Sequence, residues 1–312
     1  MTNVPTQQGV SSCNLCHAKE FELLFPGNVG DNVLARFSQY AFYDDIYRCS
    51  RCKLVIQRQR HDIEIVGAFL KEEKYLDEAI GELNLVEKQV QFGALIALMQ
   101  RFTPLSGKDL LDVGANTGVF LSTVQALVDS AKGIEASTEA ATAARENFDL
   151  DVKAGLIAEA DLEDNAFDIM TMFDVIEHLT DPSGDLAFLH TKLAPGGILF
   201  ITTHDIETWL AKISGRHYPM LMYQHFFHFS PRTLSMMLEN AGFRVLGHKR
   251  FLKSWSFEYI YHLIEKKWPG MKLAGLMQFI LSPLMKSHSV RKARIVSPQR
   301  DFFMIAAEKP RC

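Results

Sequence analysis

The stretch 108–128, KDLLDVGANTGVFLSTVQALV, limits the fold of this 312-residue chain more than any other part of the sequence. Its apolar run LLDV is typical of a buried strand, and the apolar repeat after Gly118 is typical of an amphipathic helix. Gly114 and Gly118 shape the turn between the two, where a ligand can approach the backbone closely. A strand, a glycine turn and a helix in this order predict a parallel sheet whose ligand lies at the carboxyl end of the strand.

Strands and helices keep alternating along the rest of the chain. A helix is predicted over 140–148, and further strands are predicted over 131–137, 151–154, 198–203 and 301–309 and within FDIMTMFDVIEH, 167–178. This alternation predicts the α/β class, with a Rossmann-like, doubly wound, mostly parallel seven-stranded sheet. Asp112 and Glu135 end the first two of these strands. An acidic side chain at the second position can accept both hydroxyls of a ribose.

Four cysteines form two close pairs near the N-terminus, Cys13-x-x-Cys16 and Cys49-x-x-Cys52. Each pair can present two thiolates to one ion, and four thiolates complete the tetrahedral shell that Zn²⁺ prefers. The segment between the pairs is short and rich in turn residues, so it would struggle to hold a core unaided, and metal binding stabilises such segments most. The pattern predicts a structural zinc module, with a redox role for one pair as the alternative.

The remaining bulk features place the chain among ordinary globular proteins. The N-terminal residues lack the basic and apolar regions of a signal peptide, and no apolar run reaches about 18 residues. A cytoplasmic location is therefore expected, where free thiols or metal are favoured over disulfides. The formal net charge of −4 gives no general attraction to nucleic acid, so none is expected as a partner.

The ordered motifs between Leu110 and Val245 resemble those of class I S-adenosylmethionine-dependent methyltransferases. DVGANTG is similar to their first motif, D-x-G-x-x-x-G, and differs from the G-x-G-x-x-G of NAD-dependent oxidoreductases. FDIMTMFDVIEHLTDP resembles the fourth-strand motif of ubiquinone-type O-methyltransferases. LAPGGILFITT and HFSPRTLSMMLENAGF match the segments that follow in that group. Paired cysteine motifs ahead of such a core resemble bacterial sugar and glycan methyltransferases.

This resemblance implies a set of residues that bind S-adenosylmethionine. The first-motif residues would hold its methionine and ribose end, and the acid after the second strand would hold the ribose hydroxyls. The residues after the third strand would flank adenine, and those ending the fourth would meet the methionine moiety, although Phe173 could equally serve core packing. The assigned residues are Asp112, Gly114, Asn116, Gly118, Glu135, Ala136, Leu156, Ile157, Phe173 and Asp174.

Histidines supply the candidate catalytic groups. A hydroxyl acceptor must lose a proton, and histidine suits that task near neutral pH. His178 lies just after the fourth strand, and His225 lies with Tyr223 in YQHFFHFS, which resembles the Tyr-Glu-His segment of sugar C-methyltransferases. Structural hydrogen bonding is the alternative role, and it is the one assigned to His228. A metal site formed by His225 and His228 would lack a carboxylate within that segment.

The predicted organisation has five parts. They are a zinc module over 1–60, a helical connector or lid over 61–104, a cofactor-binding core over 105–250, a helical insertion over 251–299, and the last strand with its tail over 300–312. The insertion is basic and apolar, which suits a nucleotide diphosphate, a lipid-linked glycan or peripheral contact with an anionic membrane. A lid or a dimer face is the alternative, and the oligomeric state is left open.

Together these features predict a methyltransferase that uses S-adenosylmethionine and carries structural Zn²⁺. The expected acceptor is a small molecule, a hydroxyl of a sugar, a nucleotide- or lipid-linked sugar, or a glycan intermediate. C-methylation of a keto-sugar and methylation of RNA or protein are the alternative reactions. The non-enzymatic alternative is a module that binds the cofactor without catalysis.

Overall fold

The computed structural model describes residues 12–27, 43–58, 82–261, 281–296 and 300–311. In chain order, the strands are β1 (Phe21–Phe25), β2 (Ile46–Cys49), β3 (Val55–Gln57), β4 (Asp109–Val113), β5 (Ser130–Glu135), β6 (Asp151–Ala154), β7 (Phe167–Phe173), β8 (Leu193–His204), β9 (Phe227–His228), β10 (Arg244–Phe251), β11 (Ser254–Ser256), β12 (Arg294–Val296) and β13 (Phe302–Glu308). The α-helices are α1 (Glu82–Met99), α2 (Val119–Val124), α3 (Thr138–Phe148), α4 (Pro182–Lys192), α5 (Trp209–Ser214), α6 (Pro231–Asn240) and α7 (His288–Lys292).

A seven-stranded sheet forms the centre of the molecule, in the order β10-β13-β8-β7-β4-β5-β6. The five strands from β8 to β6 are parallel to one another. The last strand, β13, lies between β8 and β10 and is antiparallel to both. The predicted Rossmann-like, doubly wound, mostly parallel seven-stranded sheet is confirmed.

The inner strands β4 and β7 are rich in apolar residues because both faces of the sheet are covered, and their aspartates lie at or near the strand ends. Successive side chains point to opposite faces, so Leu110 and Leu111 on β4 join different core clusters. One cluster packs against α1, α2 and α3. The other packs against α4 and α6 and also takes in the cysteine-bearing segment.

Capping residues fix where the helices begin. The Ser137 hydroxyl accepts a hydrogen bond from the Ala140 amide at the start of α3. The Asp181 carboxylate accepts from the Gly184 amide at the start of α4, where Pro182 is the first helical residue. Such caps satisfy amides that have no partner within the helix. They set the positions of the loops that precede these helices, at the carboxyl edge of the sheet.

A second sheet joins the N-terminal segment to the core. Its strand order is β1-β2-β3-β9, with β9 supplied by a loop of the core. Val55 pairs with His228, and Ile56 pairs with Phe227. The N-terminal strands are therefore hydrogen-bonded to the loop that carries the candidate catalytic histidines. The predicted domain limits, 1–60 among them, stay predictions.

Two sequence interpretations need correction. The predicted helical insertion contains a short antiparallel pair, β11 with β12, because alternating short stretches such as SWS carry too little periodicity to identify a strand. The helix-like spacing of Val86, Val90 and Leu95 in the sequence predicts one apolar face of α1, but Val86 and Val90 are 50% and 43% exposed. The buried side chains of this helix lie nearer its end, at Leu95 and Met99. Residues 59–81 and 262–280, which hold other predicted helical positions, lie outside the described residues.

Several cations of the insertion are neutralised by the fold. Arg294 forms an ion pair with the buried Glu87 of α1 at 2.6 Å, and Lys253 pairs with Asp174 at 3.1 Å. These acids come from elements outside the insertion. The sequence of the insertion alone therefore overstates its unpaired positive charge. In the described part of the chain no helix is both long and apolar enough to cross a membrane. Membrane contact by the insertion and the cytoplasmic location stay predictions.

We predict that Gly118→Ala destabilises the protein more than Gly107→Ala. Both glycines have left-handed backbones, with φ of 80° and 77°, so alanine pays a similar backbone cost of about 1 kcal/mol at each. At Gly118 a Cβ would lie 2.5 Å from Leu150 Cδ1 and 2.9 Å from Ala144 Cβ, whereas Gly107 has open space. Overpacking should therefore cost Gly118→Ala roughly 2 kcal/mol more in the free energy of unfolding, measured by urea denaturation. Equal losses would contradict this packing.

Candidate functional site

A pair of buried acids marks the carboxyl edge of the central sheet. Asp112, on β4, is 3% exposed and accepts a hydrogen bond from the Thr171 hydroxyl of β7 at 2.6 Å. Burial raises the pKa of Asp112 to about 7; the Thr171 hydrogen bond opposes this rise, and the nearby charge of Glu135 adds to it. This carboxyl group therefore changes its charge near neutral pH.

Backbone amides hold the second acid, Glu135, in one orientation. Its two carboxylate oxygens accept hydrogen bonds from the Asn116 amide at 2.7 Å and from the Ser137 amide at 2.8 Å. Burial raises the pKa of Glu135, while these amides and the charge of His178 act in the opposite direction. Each carboxylate oxygen can accept a second hydrogen bond, so the group remains able to bind hydroxyls.

The glycine turn between β4 and α2 lies over the same edge. The Gly114 amide donates to the Ile134 carbonyl of β5 at 2.8 Å. Gly114, Asn116 and Gly118 all have positive φ, which turns the chain back sharply toward the helix. A Cβ on Gly114 would lie 2.4 Å from Val175 Cγ2, so the turn also packs tightly on the segment after β7.

The other predicted cofactor residues fall into two groups. Ala136 and Leu156 are exposed beyond the ends of β5 and β6, where a ligand could contact them. Ile157 is only 8% exposed and belongs to the core. The ring of Phe173 packs edge-on against Phe120 with centroids 4.9 Å apart, so its core-packing role accounts for most of its contacts.

Asp174 is held at the end of β7 in a left-handed conformation, with φ of 55°. Its carboxylate accepts a hydrogen bond from the Thr202 hydroxyl at 2.9 Å and pairs with Lys253 at 3.1 Å. A non-glycine residue in this region of φ is uncommon and needs such support from its surroundings. The chain is thereby turned toward the 3₁₀ segment Ile176–His178.

The two predicted catalytic histidines lie together. The rings of His178 and His225 contact edge to face, with centroids 4.8 Å apart. His178 Nδ1 hydrogen-bonds the Gln224 carbonyl at 2.9 Å, and His225 Nδ1 hydrogen-bonds the Met220 carbonyl at 2.8 Å. Burial and the neighbouring imidazoles lower the pKa of His225 well below its usual value. His225 is therefore neutral at pH 7.

Two further histidines extend this group into the core. His204, which the sequence reasoning missed, stacks on His225 with centroids 5.1 Å apart. Its Nε2 lies 2.9 Å from Nδ1 of His228, which agrees with a structural role for His228. His204 ends an apolar strand, and no motif in the sequence distinguishes it from an ordinary core residue. Only the pairing of the strands brings it to the other histidines.

The carboxylate that the sequence reasoning found missing is present. Glu177 is 2% exposed, and its Oε1 lies 3.8 Å from Nδ1 of His204. YQHFFHFS itself contains no acid, and the carboxylate comes from the neighbouring 3₁₀ segment. The amide of Phe226 donates to the Glu177 carbonyl at 2.7 Å, and this bond joins the two segments.

Gln57, which the sequence reasoning also missed, fixes the loop around Tyr223. Its amide nitrogen donates to the carbonyls of Met222, Tyr223 and His225 at 3.1, 2.8 and 3.0 Å. Tyr223 itself is partly exposed. A buried amide with three acceptors holds the backbone of the loop in one conformation. The loop geometry therefore depends on a residue of the N-terminal segment.

The four N-terminal cysteines converge as the spacing predicts. The Sγ atoms of Cys13 and Cys52 are 3.5 Å apart, as are those of Cys16 and Cys49, and one sulfur from each of the four lies within 4.8 Å of the others. The two turns are equivalent, because the amide of the first cysteine in each pair donates to the carbonyl five positions later. Such paired knuckles around four close sulfurs have the ligand set of a structural zinc site.

The thiol acidities reflect this crowding. Burial raises the pKa of Cys13 to about 11. Burial acts in the same direction on Cys49, but amide hydrogen bonds from Cys52 and Arg51 outweigh it and bring that pKa to about 7. Burial therefore opposes the thiolate form of Cys13, whereas amide hydrogen bonds favour that of Cys49. A bound cation would offset that effect of burial.

The chemistry available at the sheet edge follows from these positions. Asp112 and Glu135 are both buried, and within the described residues neither forms an ion pair with a lysine or an arginine. Carboxylates in this position suit a ligand that brings hydroxyls and positive charge. The partly exposed His178 lies close enough to influence Glu135, so the imidazoles and the acid pair border one region.

Comparison with known proteins assigns the core. The model of a family described as "Methyltransferase domain" matches residues 87–248, slightly over half of the chain. The ubiquinone biosynthesis O-methyltransferase of Burkholderia ambifaria is 30% identical over 123 residues, which cover 36% of this chain and 53% of that protein. The enzyme of the same name from Burkholderia pseudomallei is 27% identical over 159 residues, covering 46% and 68%. The chain thus spans about half the length of the first of these curated relatives.

Solved structures share the fold at low sequence identity. A Haloferax volcanii structure, the complex of the Trm112 methyltransferase activator with a methyltransferase, matches with a TM-score of 0.51 and 16% identity, covering 77% of this chain and 99% of that one. Phosphoethanolamine N-methyltransferase 2 of Haemonchus contortus matches with a TM-score of 0.50 and 15% identity, covering 93% and 68%. The residues that match the family model, 87–248, include the carboxyl edge of the sheet and both of its buried acids. This chain therefore belongs to the methyltransferase domain family.

Proposed function

We propose that this protein is a methyltransferase that uses S-adenosylmethionine to methylate a hydroxyl group of a small molecule, a sugar or a glycan intermediate. The observation that carries the proposal is the buried pair Asp112 and Glu135 at the carboxyl edge of a sheet of the methyltransferase family. A pocket without a cofactor would gain nothing from two unpaired acids, because burying them costs free energy.

The residues at this edge fit S-adenosylmethionine. Glu135 has free acceptor capacity for two ribose hydroxyls, since each oxygen is used once by a backbone amide. Asp112 would bind the positively charged methionine end, and the exposed Leu156 would cover one face of adenine. When bound, S-adenosylmethionine supplies a methyl group that leaves its sulfur for the acceptor oxygen while that hydroxyl loses a proton.

The imidazole pair is suited to that proton. His178 and His225 each hydrogen-bond a backbone carbonyl through Nδ1, so in the neutral form the proton sits on Nδ1 and Nε2 carries a lone pair. His178 is the more exposed of the two and is close enough to influence Glu135, so we assign the contact with the acceptor to it. His225 supports its ring from behind, and Tyr223 would line the acceptor site.

Support for the acceptor comes from two resemblances. The relatives of highest similarity reported above are named O-methyltransferases, which favours an oxygen acceptor. The paired cysteine motifs ahead of the core favour sugar or glycan chemistry. The match covers only 53% of the first relative. The acceptor is therefore inferred from the motifs and the site of this chain.

We further propose that the four cysteines hold one structural Zn²⁺. The metal would fix the N-terminal segment, whose β3 pairs with β9 and whose Gln57 binds the carbonyls of the histidine loop. Zinc would then act at a distance from the acceptor, by keeping this loop in place.

Binding of S-adenosylmethionine should strengthen with pH through the ionisation of Asp112. With a pKa of about 7, its charged fraction rises roughly tenfold between about pH 6 and about pH 8, and the charged form binds a cation better. Calorimetry should show that affinity rises more with pH in the wild type than in Asp112→Asn. Because the amine of S-adenosylmethionine titrates in both measurements, its effect cancels in this comparison.

Asp185→Asn is the matched control for this titration. Its pKa is raised to about 6 by burial and by Asp181, yet it lies on α4, away from the acid pair. It should bind S-adenosylmethionine with the wild-type pH dependence. An Asp112→Asn variant with that same dependence would refute the assigned role of Asp112.

Methyl transfer itself can be tested with a panel of sugars, nucleotide sugars and phenols. The wild type should yield S-adenosylhomocysteine and an O-methyl product, identified by mass and by NMR. His178→Ala should lower kcat at least tenfold, about 1.4 kcal/mol of barrier. His190→Ala, whose ring packs on Phe243 away from the site, should leave kcat unchanged. Methylation at carbon or nitrogen, or full activity of His178→Ala, would contradict the proposal.

The zinc proposal predicts sulfur-coordinated metal in the purified protein. X-ray absorption should show an ion with four sulfur ligands in the wild type and in Cys312→Ser, and its loss in Cys13→Ser. The thermal unfolding midpoint of Cys13→Ser should fall as well, because the knuckle is part of the core. Wild-type protein without sulfur-bound metal would overturn the zinc assignment.

A further inference from the structure

A second group of metal-binding side chains lies beneath the acceptor site. This group, the histidine cluster, consists of Glu177, His178, His204, His225 and His228. Within it, ligand atoms of Glu177, His178 and His225 lie within 4.8 Å of one another, and so do those of His204, His225 and His228. His225 belongs to both sets. The cluster shares no residue with the four-cysteine site.

The tautomers of two imidazoles are fixed by the backbone. A carbonyl oxygen only accepts, so Nδ1 of His178 donates to Gln224 and Nδ1 of His225 donates to Met220. The Nε2 atoms of both rings therefore carry lone pairs. Metal-binding histidines typically donate their other ring nitrogen to a carbonyl or a carboxylate, which fixes the ring and leaves one nitrogen for the ion.

The carboxylate of Glu177 lacks a compensating charge. It is 2% exposed, and its Oε2 has no hydrogen-bond partner among the described residues. The nearest ionisable atom recorded for it is Nδ1 of His204 at 3.8 Å, itself without a hydrogen-bond partner within the described chain. A buried carboxylate without a partner is costly, and a divalent cation would satisfy it.

We propose that Glu177, His178 and His225 bind a divalent transition-metal ion. Two imidazole nitrogens and one carboxylate oxygen suit Zn²⁺, Co²⁺, Mn²⁺ or Fe²⁺ and leave open positions on the ion, whereas Mg²⁺ prefers oxygen ligands alone. His204 would lie beside the site, where its hydrogen bond to His228 holds its ring in place.

The ion would also have a role in methyl transfer, and this part of the inference rests on the proposed function. An ion at His178 would bind the acceptor hydroxyl and lower its pKa, as bound metals do for water. With the ion bound, His178 and His225 would be its ligands, and the ion would replace His178 Nε2 as the group that contacts the acceptor hydroxyl, whose proton would pass to solvent.

Cobalt binding tests the site without any need for activity. Metal-free protein loaded with Co²⁺ should hold about two ions per chain, one with sulfur ligands and one with nitrogen and oxygen ligands by X-ray absorption. Glu177→Gln, which keeps the shape of the side chain, should lose the second ion and retain the thiolate–cobalt absorption band. His178→Ala, at a partly exposed position, should give the same loss if Glu177→Gln does not fold.

His190→Ala is the matched control and should keep both ions. Wild-type protein that binds cobalt through sulfur alone, or Glu177→Gln and His178→Ala variants that retain both ions, would overturn the proposal. Calorimetry with S-adenosylmethionine on the same samples separates the two claims. Cofactor binding without the second ion would refute only the metal site, and the second ion without cofactor binding would refute only the proposed function.

Discussion

The parallel pairing of β4 with β5 and β7 is the constraint on which the rest of the site depends. Because the three strands run in one direction, their carboxyl ends meet at a single edge. Asp112, Glu135 and the segment 174–178 are thereby brought together from positions far apart in the sequence. The glycine turn after β4 fits this edge through its bonds to Ile134 and Glu135.

The N-terminal sheet adds a second level of support. Its strand β3 pairs with β9, and the Gln57 side chain donates to the backbone carbonyls of Met222, Tyr223 and His225. The cysteine knuckles thus stabilise a loop that borders the acid pair, although they lie apart from it. An ion held by the four cysteines, as proposed above, would therefore act on the core through this loop. It links the stability of the N-terminal segment to the geometry of the histidine loop.

Features with a short-range signal were predictable from the sequence. The turn at Gly114 and Gly118, the acids at strand ends and the cysteine pairs all depend on local spacing, and each lies where its spacing indicated. Features made by long-range pairing were not predictable. His204 reaches the other histidines only because β8 lies beside β7, and Gln57 reaches its loop only through β3.

The missing carboxylate illustrates the same limit. The segment that carries His225 contains no acid. Glu177 belongs to the neighbouring 3₁₀ segment, which a backbone hydrogen bond joins to the histidine loop. Charge counts failed for a similar reason in the insertion, where Glu87 of α1 neutralises Arg294. A cluster of side chains from several elements is defined by tertiary packing, whereas a motif is defined by neighbours in sequence.

Asp112 and Glu135, the two buried acids, are proposed to bind S-adenosylmethionine, and calorimetry tests this binding most directly. The wild type should bind about one S-adenosylmethionine per chain and should not bind NAD. Glu135→Gln, with its fold checked by circular dichroism, should bind at least tenfold more weakly, a loss of about 1.4 kcal/mol. Absence of binding in the wild type, or equal affinity in the variant, would contradict the central claim.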